Sequence, residues 1–321
     1  MIRFVARRLT HGVVVMFFVL FGVFMLFFGG SPESVARRLA GRQATQDQVQ
    51  RVFHDLGLDR PLLEQFSTFV KGIVTRGDLG TDYYHGVPVT TLLKQDAPVT
   101  ISLVVGGAVL WLVIGVASGV LSAVRPRSIA DRTSTGLALL FQSVPAFLLG
   151  LTLINLLFYQ LTVHGLAWFP AGGYVPITQS PFEWARHLIL PWLTIALISA
   201  ATYTRLSRTA MLEVLGEDYI RTARAKGLRE WRVLTRHALR SALTPVLTQF
   251  GVDVAIALGG AILTESVFGL PGLGRESVQA INNQDLPVIL GVVIVASAAV
   301  VLANIVVDVL YALLDPRVKL H

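Results

Sequence analysis

Apolar residues in this chain are gathered into six long runs that polar segments separate. The runs extend over Leu9–Phe28, Ile101–Val124, Gly136–Val163, Leu188–Tyr203, Leu243–Leu263 and Pro287–Leu314. About 20 apolar residues in a helix cross the hydrocarbon core of a bilayer, and most of the runs reach that length. Backbone groups inside lipid must pair within their own segment, which favours helices over open strands. The pattern therefore predicts an all-α integral membrane protein with six transmembrane helices.

The basic residues between the runs predict how the chain is oriented. One set of segments carries Arg3, Arg7, Arg8, Arg125, Arg127, Arg132, the basic residues from Arg205 to Arg240, Arg317 and Lys319. The two short loops on the other side carry only Arg186 and Arg275. Because short loops rich in Lys and Arg remain in the cytoplasm, both termini are predicted to be cytoplasmic.

The composition agrees with a membrane protein. Of the 321 residues, 53% are hydrophobic and 15% are charged, whereas a soluble domain has roughly 25% charged residues. The net charge of +7 is explained by the basic residues of the predicted cytoplasmic segments. Topology therefore accounts for it, and no nucleic-acid partner is expected. The absence of cysteine excludes a disulfide framework. The first run resembles the apolar core of a signal peptide, but its length and the lack of a cleavage pattern predict a retained helix.

The segment after the first helix is predicted to be a small helical region outside the membrane. Thr45 and Gln48 have the spacing of a capping box, and Gly57 favours the end of that helix. Pro61 favours the start of another helix, which Gly77 ends. The predicted organisation is a first transmembrane helix over 1–28, an extracytoplasmic helical segment over 29–98, a transmembrane core over 99–314 and a cytoplasmic tail over 315–321.

The longest predicted cytoplasmic segment, about 205–243, contains two short helices. Glu217 and Asp218 favour the start of the first helix, and Lys226 with Gly227 favours its end. The second helix has arginines on one face and mostly apolar residues on the other: Arg229, Arg232, Arg236 and Arg240 opposite Trp231, Leu234, Ala238 and Ala242.

This segment has two interpretations by composition alone. The arginine face is typical of a helix that lies on anionic lipid. The small residues Ala223 and Gly227 would instead let another protein approach the first helix closely, in which case a bulky residue at either position should disrupt the contact.

Several polar or irregular positions lie near the predicted helices. Thr264–Gly274 contains glycines and a proline that oppose a regular helix, so this segment is either an ordinary turn or an extracytoplasmic gate or protein contact. Asp253 lies midway along the fifth run, where it either lines a translocation path or bonds a neighbouring helix. Pro145 and Pro191 are expected to interrupt the third and fourth helices.

One pair of small residues has the spacing of a close helix–helix contact. Gly115 and Gly119 form a Gly-x-x-x-Gly pattern within the second run. Such pairs let the backbones of two membrane helices approach each other, so a tightly packed helix is expected at this face.

The cytoplasmic segment resembles the loop that marks the permeases of binding-protein-dependent ABC importers. That pattern combines small residues, a glycine and a later proline, and it is matched here by Tyr219, Thr222, Ala223, Gly227 and Pro245. The sequence departs from many members where Arg-Thr replaces an acidic residue and alanine. The variant Tyr-Ile-Arg-Thr-Ala-Arg-Ala-Lys-Gly is similar to the branch that imports peptides and nickel.

Three other stretches resemble the B-type dipeptide permease subunits of the same branch. They are Leu56–Gln65 with Gly77–Gly80, Phe169–Gly173 and Thr264–Gly274. The resemblance thus extends over nearly the whole chain. It implies a type I ABC importer transmembrane domain in the bacterial cytoplasmic membrane, and a cytoplasmic loop that couples to an ATPase.

The resemblance also implies candidate site residues. The ATPase-coupling loop would include Glu217, Asp218, Tyr219, Ile220, Thr222, Ala223, Lys226, Gly227 and Pro245. The candidate gate or binding-protein contact includes Glu265, Phe268, Pro271 and Gly272, and the candidate path residue is Asp253. No catalytic or metal-ligating residue is predicted, and the seven histidines form no ligand cluster along the sequence.

The resemblance implies several partners, and a motif that the chain lacks bears on one of them. No Gly-x-x-x-x-Gly-Lys-Ser/Thr phosphate loop occurs, so the chain is expected to bind no ATP and to be no enzyme. The resemblance places ATP and Mg on two partner ATPase subunits or domains. It further implies a homologous second permease in a heterodimer, an extracytoplasmic solute-binding protein and a dipeptide or short-peptide substrate. Nickel or a haem-like compound is the alternative cargo, and an ion-coupled transporter is the alternative mechanism.

Overall fold

The computed structural model describes residues 2–28, 32–40, 44–55 and 57–314, so the predicted tail over 315–321 lies outside the described residues. Within those ranges the regular structure is helical, apart from one isolated bridge between Thr81 and Pro88. The helices are α1 Ile2–Phe28, α2 Pro32–Ala40, α3 Gln46–Asp55, α4 Leu62–Arg76, α5 Val89–Val124, α6 Ile129–Ser143, α7 Ala146–Leu153, α8 Leu161–Val163, α9 Pro181–Leu215, α10 Asp218–Ala225, α11 Glu230–Arg232, α12 Leu239–Gly260, α13 Ile262–Val267, α14 Leu273–Asn283 and α15 Leu286–Leu314. Two π-helical segments, Ile154–Gln160 and Val233–Ala238, join α7 to α8 and α11 to α12.

Six stretches of the described helices are long and apolar enough to cross a membrane, which confirms the predicted number. They are Arg7–Phe28, Val89–Val124, Ala146–Val163, Pro181–Leu215, Glu230–Leu258 and Leu286–Val306. Several are longer than the apolar runs, because more polar residues at one or both ends continue the helix. The predicted boundary at residue 98 accordingly falls inside α5.

The two prolines expected to interrupt helices behave differently. Val144 is extended, with φ −91° and ψ 128°, so the helix predicted over 136–163 is divided between α6 and α7. A proline disfavours helical backbone in the residue before it, which explains the break at Pro145. The expectation for Pro191 is wrong, since it lies inside the continuous α9. Membrane helices tolerate proline where the freed backbone group is satisfied in another way.

The chain forms two compact units. One contains Met1–Pro98 and Pro271–Val301, and the other contains Val99–Leu270 and Leu302–His321. In the first unit, α4 buries Phe66 among the α1 rings of Phe17, Phe21 and Phe24, with ring centroids 5.2–5.6 Å apart.

The local signals read from the extracytoplasmic segment are present in the structure. The backbone N–H of Thr45 donates to Gln48 Oε1 at 2.8 Å, and the N–H of Gln48 donates to Thr45 Oγ1 at 3.4 Å. This reciprocal pair is the predicted capping box. Gly77 adopts φ 63° immediately after α4, as expected for a glycine that ends a helix.

In the second unit, α5 and α9 approach each other through glycines. A Cβ added to Gly106 would lie 2.1 Å from the ring of Trp192. One added to Gly115 would lie 2.3 Å from Tyr203 Cβ, and one added to Gly119 would lie 2.6 Å from the backbone oxygen of Thr204. The close packing expected of the Gly-x-x-x-Gly pair is therefore confirmed.

Gly119→Ala should destabilise the protein, because the added carbon would meet backbone atoms of α9 that cannot move aside. We expect a loss of about 1–3 kcal/mol, the usual cost of overpacking. Thermal unfolding of the purified protein in detergent measures this loss. Gly136→Ala in α6 is the matched control, since no atom lies within 4 Å of its added Cβ. Equal unfolding temperatures for the two variants would contradict the packing argument.

Candidate functional site

The first helix of the cytoplasmic segment lies where the sequence predicts it. Glu217 precedes α10, and Asp218 is its first residue. Lys226 follows α10, and Gly227 adopts φ 74°, a left-handed conformation that favours glycine. The backbone N–H of Gly227 donates to Arg224 O at 2.9 Å and completes the turn that ends the helix.

One face of α10 is packed against its own chain. Ile220 has no exposed surface, and Ala223 is 7% exposed. Both belong to an apolar cluster with Ala123, Ala210, Met211, Val233, Ala238 and Ala242. These residues come from α5, α9, the π-helical segment Val233–Ala238 and α12, so α10 is fixed to the cytoplasmic end of the second unit.

The opposite face of α10 is exposed. It presents Glu217, Asp218, Tyr219, Arg221, Thr222 and Lys226. Arg221 donates to Asp218 at 3.2 Å, an exposed pair that contributes little to stability. The exposed face is therefore polar, with the aromatic ring of Tyr219 at its edge.

Two further contacts hold the ends of α10. The guanidinium of Arg224 donates to both carboxylate oxygens of Glu230, at 2.7 and 3.2 Å, and bridges the turn at Gly227. The hydroxyl of Tyr219 donates to Ser241 Oγ in α12 at 3.3 Å. Pro245, one turn further along α12, is exposed.

Within this chain, Ala223 and Gly227 are subject to two different constraints. The surface that approaches Ala223 is the chain's own apolar cluster. A Cβ at Gly227 would meet no atom of this chain within 4 Å, so within the chain the backbone conformation is what favours glycine here.

Burial along the apolar face predicted for the second cytoplasmic helix is uneven. Trp231 is 75% exposed, whereas Val233, which lies outside that predicted face, is fully buried. The π-helical turn over Val233–Ala238 inserts extra backbone and shifts the helical register, which a regular helical pattern does not anticipate. Ala238 and Ala242, which belong to the predicted apolar face, are buried.

An ion pair near the cytoplasmic ends of α5, α6 and α9 was not identified from the sequence. Asp131 is buried and accepts from Arg208 Nε at 2.8 Å and Nη2 at 3.0 Å. It also accepts from the Ser122 hydroxyl and, at 2.8 Å, from the backbone N–H of Arg127. The hydrogen bonds from Arg208 and Ser122 hold the pKa of Asp131 well below its ordinary value. The capping spacing from Ser128 to Asp131 was a readable signal, but the partner 77 positions away was not.

The segment after α12 brings two of the quoted stretches together. The backbone N–H of Gly173 donates to Phe268 O at 3.1 Å. A Cβ at Gly172 would lie 2.0 Å from the same oxygen, so Phe169–Gly173 packs closely on the loop after α13. The expected absence of regular helix holds for 268–272 alone, since Thr264–Val267 is helical.

The residues of the candidate gate differ in exposure. Glu265 is fully buried and accepts from the Thr100 hydroxyl at 2.6 Å, and Phe268 is also buried. Pro271 is exposed and Gly272 is buried, and both belong to the other compact unit. The side chains of Glu265 and Phe268 therefore support the loop from inside and are not offered to a partner protein in this structure.

Asp253 in α12 has hydrogen-bond partners for both carboxylate oxygens. Tyr203 in α9 donates to Oδ2 at 2.9 Å, and Gln249 donates to Oδ1 at 2.9 Å. The hydrogen bond from Tyr203 agrees with the interpretation that Asp253 contacts a neighbouring helix. A role of Asp253 in a translocation path stays a prediction.

The chain matches the family model described as the binding-protein-dependent transport system inner membrane component over residues 115–320. The N-terminal model of the same family matches residues 1–104. The chain belongs to this family. It is therefore a multi-pass permease subunit of the inner membrane, as the sequence predicted.

Relatives and solved structures agree with the assignment. The permease is 40% identical over 317 residues to the probable peptide ABC transporter permease protein y4tP of Sinorhizobium fredii, covering 98% of this chain and 99% of that one. It is 40% identical over 327 residues to the oligopeptide transport system permease protein OppB of Mycobacterium tuberculosis, covering 99% of each. A chain of the inward-facing MetNI methionine ABC transporter shares the fold, with a TM-score of 0.55 at 20% identity, over 71% of this chain and 98% of that chain.

A pair of buried carboxyl groups in the first unit of the permease was also missed by the sequence reasoning. Asp82 and Asp285 hydrogen-bond each other, and Tyr83 N–H donates to Asp285 at 3.0 Å. Burial and the bond to Asp82 raise the pKa of Asp285 from its ordinary 3.8 to about 7. Burial opposes ionisation of Asp82 too, but bonds from Asp285, the Tyr84 N–H and His85 lower its pKa to about 2. The pair therefore holds one proton at mildly acidic pH.

The proton on this pair predicts a pH-dependent stability. Because the pKa of Asp285 is raised on folding, its contribution is fully present below the unfolded value of 3.8 and is lost as pH rises through about 7. The unfolding temperature of the permease should therefore fall as pH rises from about 4 to about 7 and change little above that. Asp285→Asn should flatten this slope, whereas Asp47→Asn on exposed α3 should not. An unchanged slope in Asp285→Asn would contradict the shared proton.

The packing of α10 predicts different effects for two alanines on the same helix. Ala223→Leu should destabilise the protein by about 1–3 kcal/mol, because the side chain enters a filled cluster. Ala225→Leu should have little effect, since Ala225 is exposed. Thermal unfolding of the two purified variants tests this, and equal losses would show that α10 does not pack as described.

Proposed function

We propose that the permease belongs to an ATP-driven importer of dipeptides or short peptides, and that α10 is the helix that docks on an ATPase subunit. Two named relatives, a probable peptide permease and an oligopeptide permease, support the choice of cargo. ATP and Mg would be bound by the separate ATPase subunits, because the chain has no phosphate loop.

The observation that carries the coupling role is the unequal burial of α10. A helix that transmits movement must be fixed to the bundle on one side and open to a partner on the other. Ile220 and Ala223 fix the inner side, and the Arg224–Glu230 pair fixes the turn that follows. Tyr219 and Arg221 remain available on the outer side.

The route from α10 into the membrane is short. Ile220 belongs to the same cluster as Met211 in α9, and Arg208 one turn earlier is bound to Asp131. A displacement of α10 would therefore act directly on α9 and α6. Import would follow if each nucleotide state of the ATPases favoured one arrangement of the permease pair. The remaining partners would be a homologous second permease and an extracytoplasmic binding protein.

Peptide uptake by the complete complex in proteoliposomes tests this proposal. Arg221→Glu with Lys226→Glu reverses two exposed charges of α10 and leaves the Tyr219–Ser241 bond in place, so ATP-dependent uptake should fall at least tenfold while the unfolding temperature stays unchanged. Arg51→Glu is the matched control, since it reverses an exposed helical arginine in the extracytoplasmic segment. Normal uptake by the double variant would overturn the docking role of α10.

The energy source needs its own measurement. Uptake should stop when ATP is removed while the membrane potential is held constant. Continued uptake under those conditions would overturn the ATP-driven mechanism and favour an ion-coupled transporter. If the complex hydrolysed ATP but no peptide stimulated that hydrolysis, only the assignment of peptides as cargo would be overturned.

A further inference from the structure

A cavity of about 690 Å³ lies in the first unit, beside α1, α4 and the start of α15. This volume is within the range of small-molecule sites. The proposed transport role of the permease makes no use of this cavity.

The floor of the cavity is apolar and continuous with the membrane-spanning helices. Phe24 and Phe28 form the last turn of the first span, and Leu286 and Leu290 form the first turns of the last span. Phe69 of α4 adds a third aromatic ring. In the predicted orientation these span ends lie at the outer surface of the hydrocarbon core, where acyl chains meet headgroups.

The rim of the cavity is basic. Arg60, Lys71 and Arg76 line it, against a single carboxylate among the described lining residues, Asp78. Arg60 is paired with Glu64 at 3.6 Å, but among the described residues neither Lys71 nor Arg76 has a carboxylate within ion-pair distance. Two positive charges at the rim are thus available to an anion.

One polar atom in the wall lacks a donor. Gln65 Nε2 donates to Arg60 O at 2.8 Å, which fixes the direction of the amide. Its Oε1 atom is buried and has no hydrogen-bond partner among the described residues. A buried acceptor without a donor is unfavourable, so a ligand hydroxyl or ammonium group that reaches it would be favoured here.

We propose that this cavity binds an anionic phospholipid of the outer leaflet. The acyl chains would lie along the phenylalanine and leucine floor, and the phosphate would bind Lys71 and Arg76. A headgroup hydroxyl, as in phosphatidylglycerol, would donate to Gln65 Oε1. A free phosphate would leave the apolar floor uncovered, and a hydrophilic peptide would not use a floor that continues into the spans.

Lipid binding to the purified full-length permease complex tests this site. Delipidated complex is titrated with phosphatidylglycerol or phosphatidylcholine of the same acyl chains, and bound lipid is counted by native mass spectrometry. Lys71→Gln with Arg76→Gln should weaken phosphatidylglycerol binding about thirtyfold, because each basic residue contributes about 1 kcal/mol to anionic-lipid binding. Arg51→Gln, which removes an exposed arginine away from the cavity, should leave the affinity unchanged.

A second variant tests the cavity without changing its charge. Gly72 lines the cavity, and a Cβ at this position meets only ordinary contact, 3.8 Å from Asp78 O. Gly72→Leu should therefore fold normally and displace the lipid. An unchanged unfolding temperature confirms that the variant is intact.

Three results would overturn the proposal. They are equal affinity for the two lipids, unchanged binding in the double variant, and normal binding in an intact Gly72→Leu. If a short peptide bound in the cavity and phospholipid did not, the cavity would be a peptide site instead. Because the readout is bound lipid, it is independent of whether the permease imports peptides.

Discussion

The contact between α5 and α9 is the constraint on which the second unit depends. Burial of apolar surface gives little drive for helix association inside lipid, so close backbone packing and interhelical hydrogen bonds must supply it. Glycines at 106, 115 and 119 give α5 the smooth face that α9 requires. With α9 held in this position, its Tyr203 donates a hydrogen bond to Asp253, and its Arg208 forms the ion pair with Asp131.

The cytoplasmic site extends from that same helix. Met211 near the end of α9 belongs to the cluster that buries Ile220 and Ala223. The position of α10 is therefore set by its packing against the end of a membrane-spanning helix. The left-handed turn at Gly227 and the Arg224–Glu230 pair then direct the chain back to α12. The outer side of α10 is left polar and exposed, which is the arrangement that a docking helix needs.

Much of this architecture is readable from the sequence because its signals are local. Apolar runs fix the number of spans, and cap residues such as Thr45 and Gly227 fix helix ends within one or two positions. The features that were missed depend on residues distant in sequence. Asp131 meets Arg208, Gly172 meets Phe268 and Asp82 meets Asp285 only in the folded chain. The burial of Val233 was missed because a π-helical turn is not encoded by regular periodicity.

Site-specific cross-linking tests the central claim, that the outer side of α10 docks on an ATPase, most directly. The chain contains no cysteine, so Arg221→Cys introduces a single reactive thiol on the exposed face. The account predicts that a short thiol-to-amine reagent joins this permease to a copurified ATPase chain in the active complex. Arg51→Cys, outside the cytoplasm in the predicted orientation, should give no such product. An active complex in which Arg221→Cys reaches no ATPase chain would contradict the account.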